Sequence, residues 1–104
     1  MKVLLDECCP KPLKNVLSGG EFFTVEMAEL KGIKNGDLIS AAEGQFDVLI
    51  TADKNLRYQQ QLKNRKLAII ELPFNSWKRL CSMRATIQAA LDAIQPGQYV
   101  EITA

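Results

Sequence analysis

The chain contains no histidine. That absence removes Ser-His-Asp and Cys-His nucleophiles and histidine general bases, and with them most zinc sites. Cysteine is scarce, at Cys8, Cys9 and Cys81. An odd count, a vicinal pair and no Cys-x-x-Cys argue against a disulfide framework. Long hydrophobic runs are missing as well, and none approaches the roughly 20 residues of a membrane span. An acid pair arrives at position 6, ahead of any signal-peptide core. The expectation is a soluble, cytoplasmic protein with no membrane partner. Its chemistry must run on carboxylates, lysine, hydroxyls, thiols or a bound metal. Internal repeats, low-complexity segments and linkers are lacking too, and 104 residues suit a single domain.

What is present is apolar content and unevenly placed charge. Hydrophobic residues make up 47% of the chain, enough for one core without disulfide or metal staples. The net charge of +1 hides an asymmetry: residues 1–53 hold five basic against nine acidic residues. Residues 54–91 hold eight basic residues against one acid, Glu71. Two solvated faces would give this pattern, and so would an acidic site beside a basic track.

Hydrophobic patterning gives the element order. "KVLLD" (2–6) reads as a short buried strand. Pro10 and Pro12 open a helix over 10–18 that Gly19-Gly20 closes. "FFTVEM" (22–27) is β-branched and aromatic, a second strand. A polar loop follows, then a helix over 37–46 with Asp37 near its start and Leu38, Ile39, Ala41 and Ala42 on its apolar face. "DVLITAD" (47–53) is continuously apolar, as suits a parallel strand covered on both faces. A polar, basic helix is expected over 54–65, and "KLAIIEL" (66–72) is a fourth strand. Ser76 is a candidate N-cap for a helix over 77–94 whose face carries Trp77, Leu80, Cys81, Ile87, Leu91 and Ile94. Pro96-Gly97 stops it, and "QYVEIT" closes as a fifth strand. The alternation predicts a three-layer α/β/α fold around a mainly parallel open sheet of about five strands, with right-handed crossovers.

The strands end on acids. Ligands of open parallel sheets bind at the carboxyl ends of the strands, where strand order reverses. Asp6 ends the first strand, Asp53 ends the third, and Asp37 begins the helix leading into the third. The topology can bring all three to one rim. Converging carboxylates repel, and a hard divalent cation such as Mg²⁺ or Mn²⁺ removes that penalty. Each acid also has a plainer use, since aspartate is a good helix N-cap. Glu7 reads as a solvated neighbour of Asp6. Thr51 reads first as a β-branched strand residue and second as a group that positions phosphate or water. Packing is the plainer use of Cys8 and Cys9, although a helix start can lower a thiol's pKa.

"VLLDECCP", "GDLISAA" and "DVLITADKNL" together resemble the PIN-like domain of short bacterial proteins often encoded beside an antitoxin. The pattern there is Leu-Leu-Asp-Glu-Asn-x-x-Pro, then an aspartate opening a helix about thirty residues on, then Thr-x-Asp-x-Asp-Phe. The likeness covers roughly residues 2–72. It implies a PIN-like fold and a Mg²⁺- or Mn²⁺-dependent endoribonuclease, the toxin of a toxin–antitoxin pair. It places Asp6, Asp37 and Asp53 as catalytic and metal-binding acids. RNA is then the substrate, an antitoxin protein the expected partner, and a homodimer compatible with it. Lys54, Arg57, Lys63, Arg65 and Lys66 would hold the RNA backbone and make binding weaken with salt. The chain departs from the pattern at Cys8, which replaces asparagine, and has one residue fewer before Pro10. Asn55 replaces the second acid of the third block, and Leu56 the aromatic.

Two other readings remain at this stage. An acid pair after the first strand and Asp53 after the third also resemble a phospho-accepting receiver domain. Such a domain wants a hydroxyl residue ending its fourth strand and a lysine ending its fifth, and "IIEL" and "YVEITA" supply neither. The other is a PIN-like binding module that associates with a partner or with itself, its acids structural, because fold does not fix function.

Overall fold

Side chains alternate strictly between the two faces of the sheet, and that alternation builds two apolar layers. The computed structural model describes residues 1–33, 35–55 and 65–104. Five strands form one all-parallel sheet: β1 (Lys2–Leu5), β2 (Glu21–Thr24), β3 (Val48–Thr51), β4 (Ala68–Glu71) and β5 (Tyr99–Glu101). Their order across the sheet is β2-β1-β3-β4-β5. Val3, Leu5, Val48, Ile50, Ala68 and Ile70 point to one face, where Leu13, Leu80, Ile87 and Leu91 cover them. Leu4, Leu49 and Ile69 point to the other, against Leu38, Ile39, Ala42 and Phe46. The three-layer α/β/α arrangement expected from the continuous apolar strands is therefore present.

The helices are α1 (Leu13–Val16), α2 (Asn35–Ala42), α3 (Trp77–Cys81) and α4 (Arg84–Ala93). α1 is shorter than the expected 10–18. Pro10 and Pro12 bring no N–H, and the amides of Leu13 and Asn15 donate to their carbonyls in tight i→i−3 turns. The expected helix over 77–94 is two helices. Ser82 Oγ donates to the Arg79 carbonyl at 2.7 Å and Met83 N–H to Leu80 at 2.9 Å, which interrupts the i→i−4 ladder. Ser76 holds the N-cap position of α3, but through its backbone: its side chain makes no capping bond, and its carbonyl accepts from Leu80 N–H. The second strand stops at Thr24, whose Oγ1 accepts from Met27 N–H as the chain turns away. Of the basic helix expected over 54–65, residues 56–64 lie outside the described residues.

Crossover hand departs from the uniform right-handed expectation. α1 joins β1 to β2, and α3 with α4 joins β4 to β5, both over the same face. The two steps run in opposite directions along the sheet, so the two crossovers have opposite hand. The physical reason is coverage. α1 has only four residues, and Leu80, Ile87 and Leu91 complete the apolar layer on that face. No helix among the described residues is long and apolar enough to cross a membrane.

Candidate functional site

From β1 the chain steps outward to β2, and from β3 it steps the other way to β4, so strand order reverses between β1 and β3. This is where an open parallel sheet presents its ligand crevice, beyond the carboxyl ends of the strands. Asp6 N–H still donates to Ile50 O at 2.9 Å, which fixes Asp6 as the first residue past β1 at this point. Thr51, the last residue of β3, is fully buried. Its hydroxyl donates to Asp6 Oδ2 at 2.8 Å and accepts from Asp53 N–H at 3.0 Å. Thr51 is thus more than a β-branched filler: it ties the two strand-end acids together. Glu7 N–H donates to Asp6 Oδ1 at 2.7 Å, and Asn55 N–H donates to Asp53 Oδ1 at 2.9 Å. Asp53 therefore also does the local turn work expected of an aspartate in that position. Glu7 carries a bond of its own, its Oε1 accepting from Gly32 N–H.

Asp6 and Asp53 are half-buried, and Asp37 is exposed in the first turn of α2. The helix of a βαβ unit runs antiparallel to its strands, so that first turn faces the carboxyl rim. Among the described residues, however, no three acid or cysteine side chains converge tightly enough to enclose a metal ion. Thr51 links the Asp6 carboxylate to the backbone amide of Asp53, whose own carboxylate accepts from Asn55 N–H.

The two vicinal thiols stand at the same strand end. Cys9 Sγ donates to Ile50 O at 3.2 Å and is buried. Cys8 Sγ accepts from Ala52 N–H at 3.3 Å and lies 3.6 Å from Thr51 Oγ1. The adjacent Cys9 thiol, with help from Ala52 N–H and the Thr51 hydroxyl, outweighs burial and pulls the Cys8 pKa down to about 7. Cys9 goes the other way: the adjacent Cys8 thiol and its own burial push its pKa well up.

The expected basic track divides. Lys54 stands on the carboxyl rim, its Nζ 3.9 Å from Glu71 Oε2. Arg65 and Lys66 lie before β4, at the amino rim, where Arg65 reaches Ser40 Oγ at 3.2 Å and Lys66 N–H donates to Glu43. The four residues of β4, roughly 13 Å of extended chain, separate the two rims. Arg57 and Lys63 lie outside the described residues. A concavity of about 700 Å³ also opens at the amino rim, between Lys2, Phe46, Lys66 and Ile94. Its position at the amino rim separates it from Asp6 and Asp53 at the strand ends. A smaller hollow of about 100 Å³ adjoins Asp6, with Thr24, Lys11 and Lys31 in its wall.

One strand-end acid was not singled out in the sequence. Glu71 ends β4 fully buried, with its Oε1 accepting from Tyr99 OH at 2.6 Å. The signal was available: "AIIE" is an apolar run ending on an acid, as "VLLD" is. Comparison of the chain with family models, curated proteins and solved structures found no match.

Proposed function

We propose that the protein is a Mg²⁺- or Mn²⁺-dependent endoribonuclease of PIN-like type, with Asp6 and Asp53 at its centre. One observation carries the reading: at the two strand ends flanking the reversal of strand order, a single buried hydroxyl links the carboxylate of Asp6 to the backbone amide of Asp53. Two half-buried acids suit a hard cation that keeps most of its waters, and Asp6 Oδ1, Asp6 Oδ2 and Asp53 Oδ1 each have a lone pair beyond the one bond described for it. Asp6 and Asp53 would hold the cation directly, and Asp37 would act through water. When bound, the cation supplies an activated water and neutralises charge on the phosphodiester. Thr51 keeps the Asp6 carboxylate oriented, and Glu7 N–H holds its second oxygen. The absence of histidine agrees with this chemistry, which needs no imidazole. A toxin role beside an antitoxin, in the cytoplasm, goes with the same reading.

The test is cleavage of single-stranded RNA by the full chain with Mn²⁺, Mg²⁺ or chelator. Divalent-dependent cutting that Asp6→Asn abolishes is the expected result. RNA left intact under every condition removes the reading.

A second reading has its own support: Asp53 serves a local turn, and no three acids converge among the described residues. In that case the fold is a PIN-like binding module. A partner complex indifferent to Asp6→Asn and Asp53→Asn is its signature.

A further inference from the structure

Glu71 is an unusual residue to find inside a parallel sheet. β4 is buried along its whole length, and at its last position a side chain such as valine would pack without any polar demand. A carboxylate there must be desolvated, which is costly unless it is held by partners. Tyr99 OH, from the neighbouring β5, fixes Oε1 at 2.6 Å. Oε2 lies toward the ammonium of Lys54, whose side chain is otherwise 56% exposed.

The register brings this pair to the site. Thr51 is paired with Glu71 across β3 and β4. Counting from Leu4, Leu49 and Ile69, which share one face, Asp6, Thr51 and Glu71 fall on that same face at three neighbouring strand ends. Neighbouring strands are roughly 4.8 Å apart, so Glu71 stands one strand from the hydroxyl that binds Asp6. Lys54 directly follows Asp53, and the Asp53–Asn55 turn sets the backbone there. A rim lined with acids repels an incoming phosphodiester, and a cation fixed in place offsets that repulsion.

We propose that Glu71 is a positioning residue: it holds Lys54 on the carboxyl rim, so that the ammonium meets the phosphodiester at the Asp6–Asp53 site and not a distant phosphate. This rests on the ribonuclease reading above. It makes Lys54 a group that acts in the cleavage step, and Arg65 and Lys66, on the other rim, groups that could only contribute to binding.

The experiment is a double-mutant cycle on the full chain with Glu71→Gln, Lys54→Gln and both together. Glutamine keeps an acceptor for Tyr99 OH and removes the charge. The readouts are kcat and KM on a single-stranded RNA with Mn²⁺, and the urea midpoint of each protein without RNA. Each single change is expected to lower kcat about 10- to 100-fold with KM within about threefold, and the double to be no worse than either. The urea midpoints are expected to be non-additive, because the pair touches. Full kcat in Glu71→Gln, or additive losses in the double, overturns the proposal and leaves Glu71 a packing residue. If Glu71→Gln fails to fold, the exposed Lys54 still decides: Lys54→Gln that raises KM with kcat intact overturns it. A wild type that cuts no RNA removes the ribonuclease reading and this role for Lys54 with it. Coupled midpoints in that case identify the pair as a structural tether. Uncoupled midpoints in a wild type that cuts remove the tether alone.

Discussion

Thr51 Oγ1 donates to Asp6 Oδ2 at 2.8 Å, across the point where strand order reverses. The same oxygen accepts from Asp53 N–H, so one hydroxyl links the Asp6 carboxylate to the Asp53 backbone. Thr51→Val keeps the shape and removes that hydroxyl. It is expected to cost about 1–3 kcal/mol of stability, from an unpaired amide and a carboxylate that loses a donor. On the proposed function it also lowers RNA cleavage at least about tenfold, while Thr51→Ser retains most of both. Urea denaturation and a cleavage assay on the two variants check this.

Asp53→Asn separates the turn from the chemistry. The asparagine oxygen still accepts from Asn55 N–H, so the stability change is expected to stay below about 1 kcal/mol. Divalent-dependent cleavage is expected to fall more than about 100-fold. A large drop in melting temperature together with full cleavage in the folded fraction contradicts the assignment.

Cys8 and Cys9 titrate in opposite directions. With its pKa lowered to about 7, Cys8 is expected to react with iodoacetamide in the native protein at a rate that rises through about pH 7, whereas buried Cys9 stays protected until the chain unfolds. The stability sign follows from linkage. The folded state releases the Cys8 proton more readily than the unfolded chain, whose thiol titrates near 9.0. Stability from this group is therefore fully present above about pH 9 and lost as pH falls toward 7. The raised pKa of Cys9 opposes it above about pH 9. Cys8→Ser removes the rise between pH 7 and 9, and urea midpoints measured across that range detect it.

Gly97 has φ +77°, and a Cβ there would stand 2.7 Å from the Arg65 carbonyl oxygen. Its N–H donates to Lys66 O at 2.8 Å, which fastens the entry of β5 to the entry of β4. Gly97→Ala meets both the left-handed conformation and a backbone clash. The expected loss is about 1–3 kcal/mol, read as a lower urea midpoint.

Much of the fold was legible in the sequence because parallel strands buried on both faces leave continuous apolar runs. "VLL", "VLIT" and "AII" declare themselves in this way. The helices were less legible. Two prolines confine α1 to four residues, and the break between α3 and α4 depends on where one serine hydroxyl points. The placing of Asp6 and Asp53 just past β1 and β3 was legible because each follows a continuously apolar run. Glu71 follows the same rule, as the acid that ends the apolar run "AII". The placement of Lys54 and Arg65 on different rims has a topological reason. A segment joining two parallel strands leaves from one rim and arrives at the other. Lys54 and Arg65, at its two ends, cannot share a rim however close they lie in sequence. The crossover of opposite hand was illegible, since apolar patterning does not say which face a helix will cover.

The most direct measurement is calorimetric titration of Mn²⁺ into the full chain at neutral pH, with and without a single-stranded RNA, for wild type, Asp6→Asn and Asp53→Asn. If the strand-end carboxylates share a cation, wild type binds Mn²⁺ and both folded variants lose that binding. Variants that bind as wild type does, or a wild type that binds none even with RNA present, contradict the account.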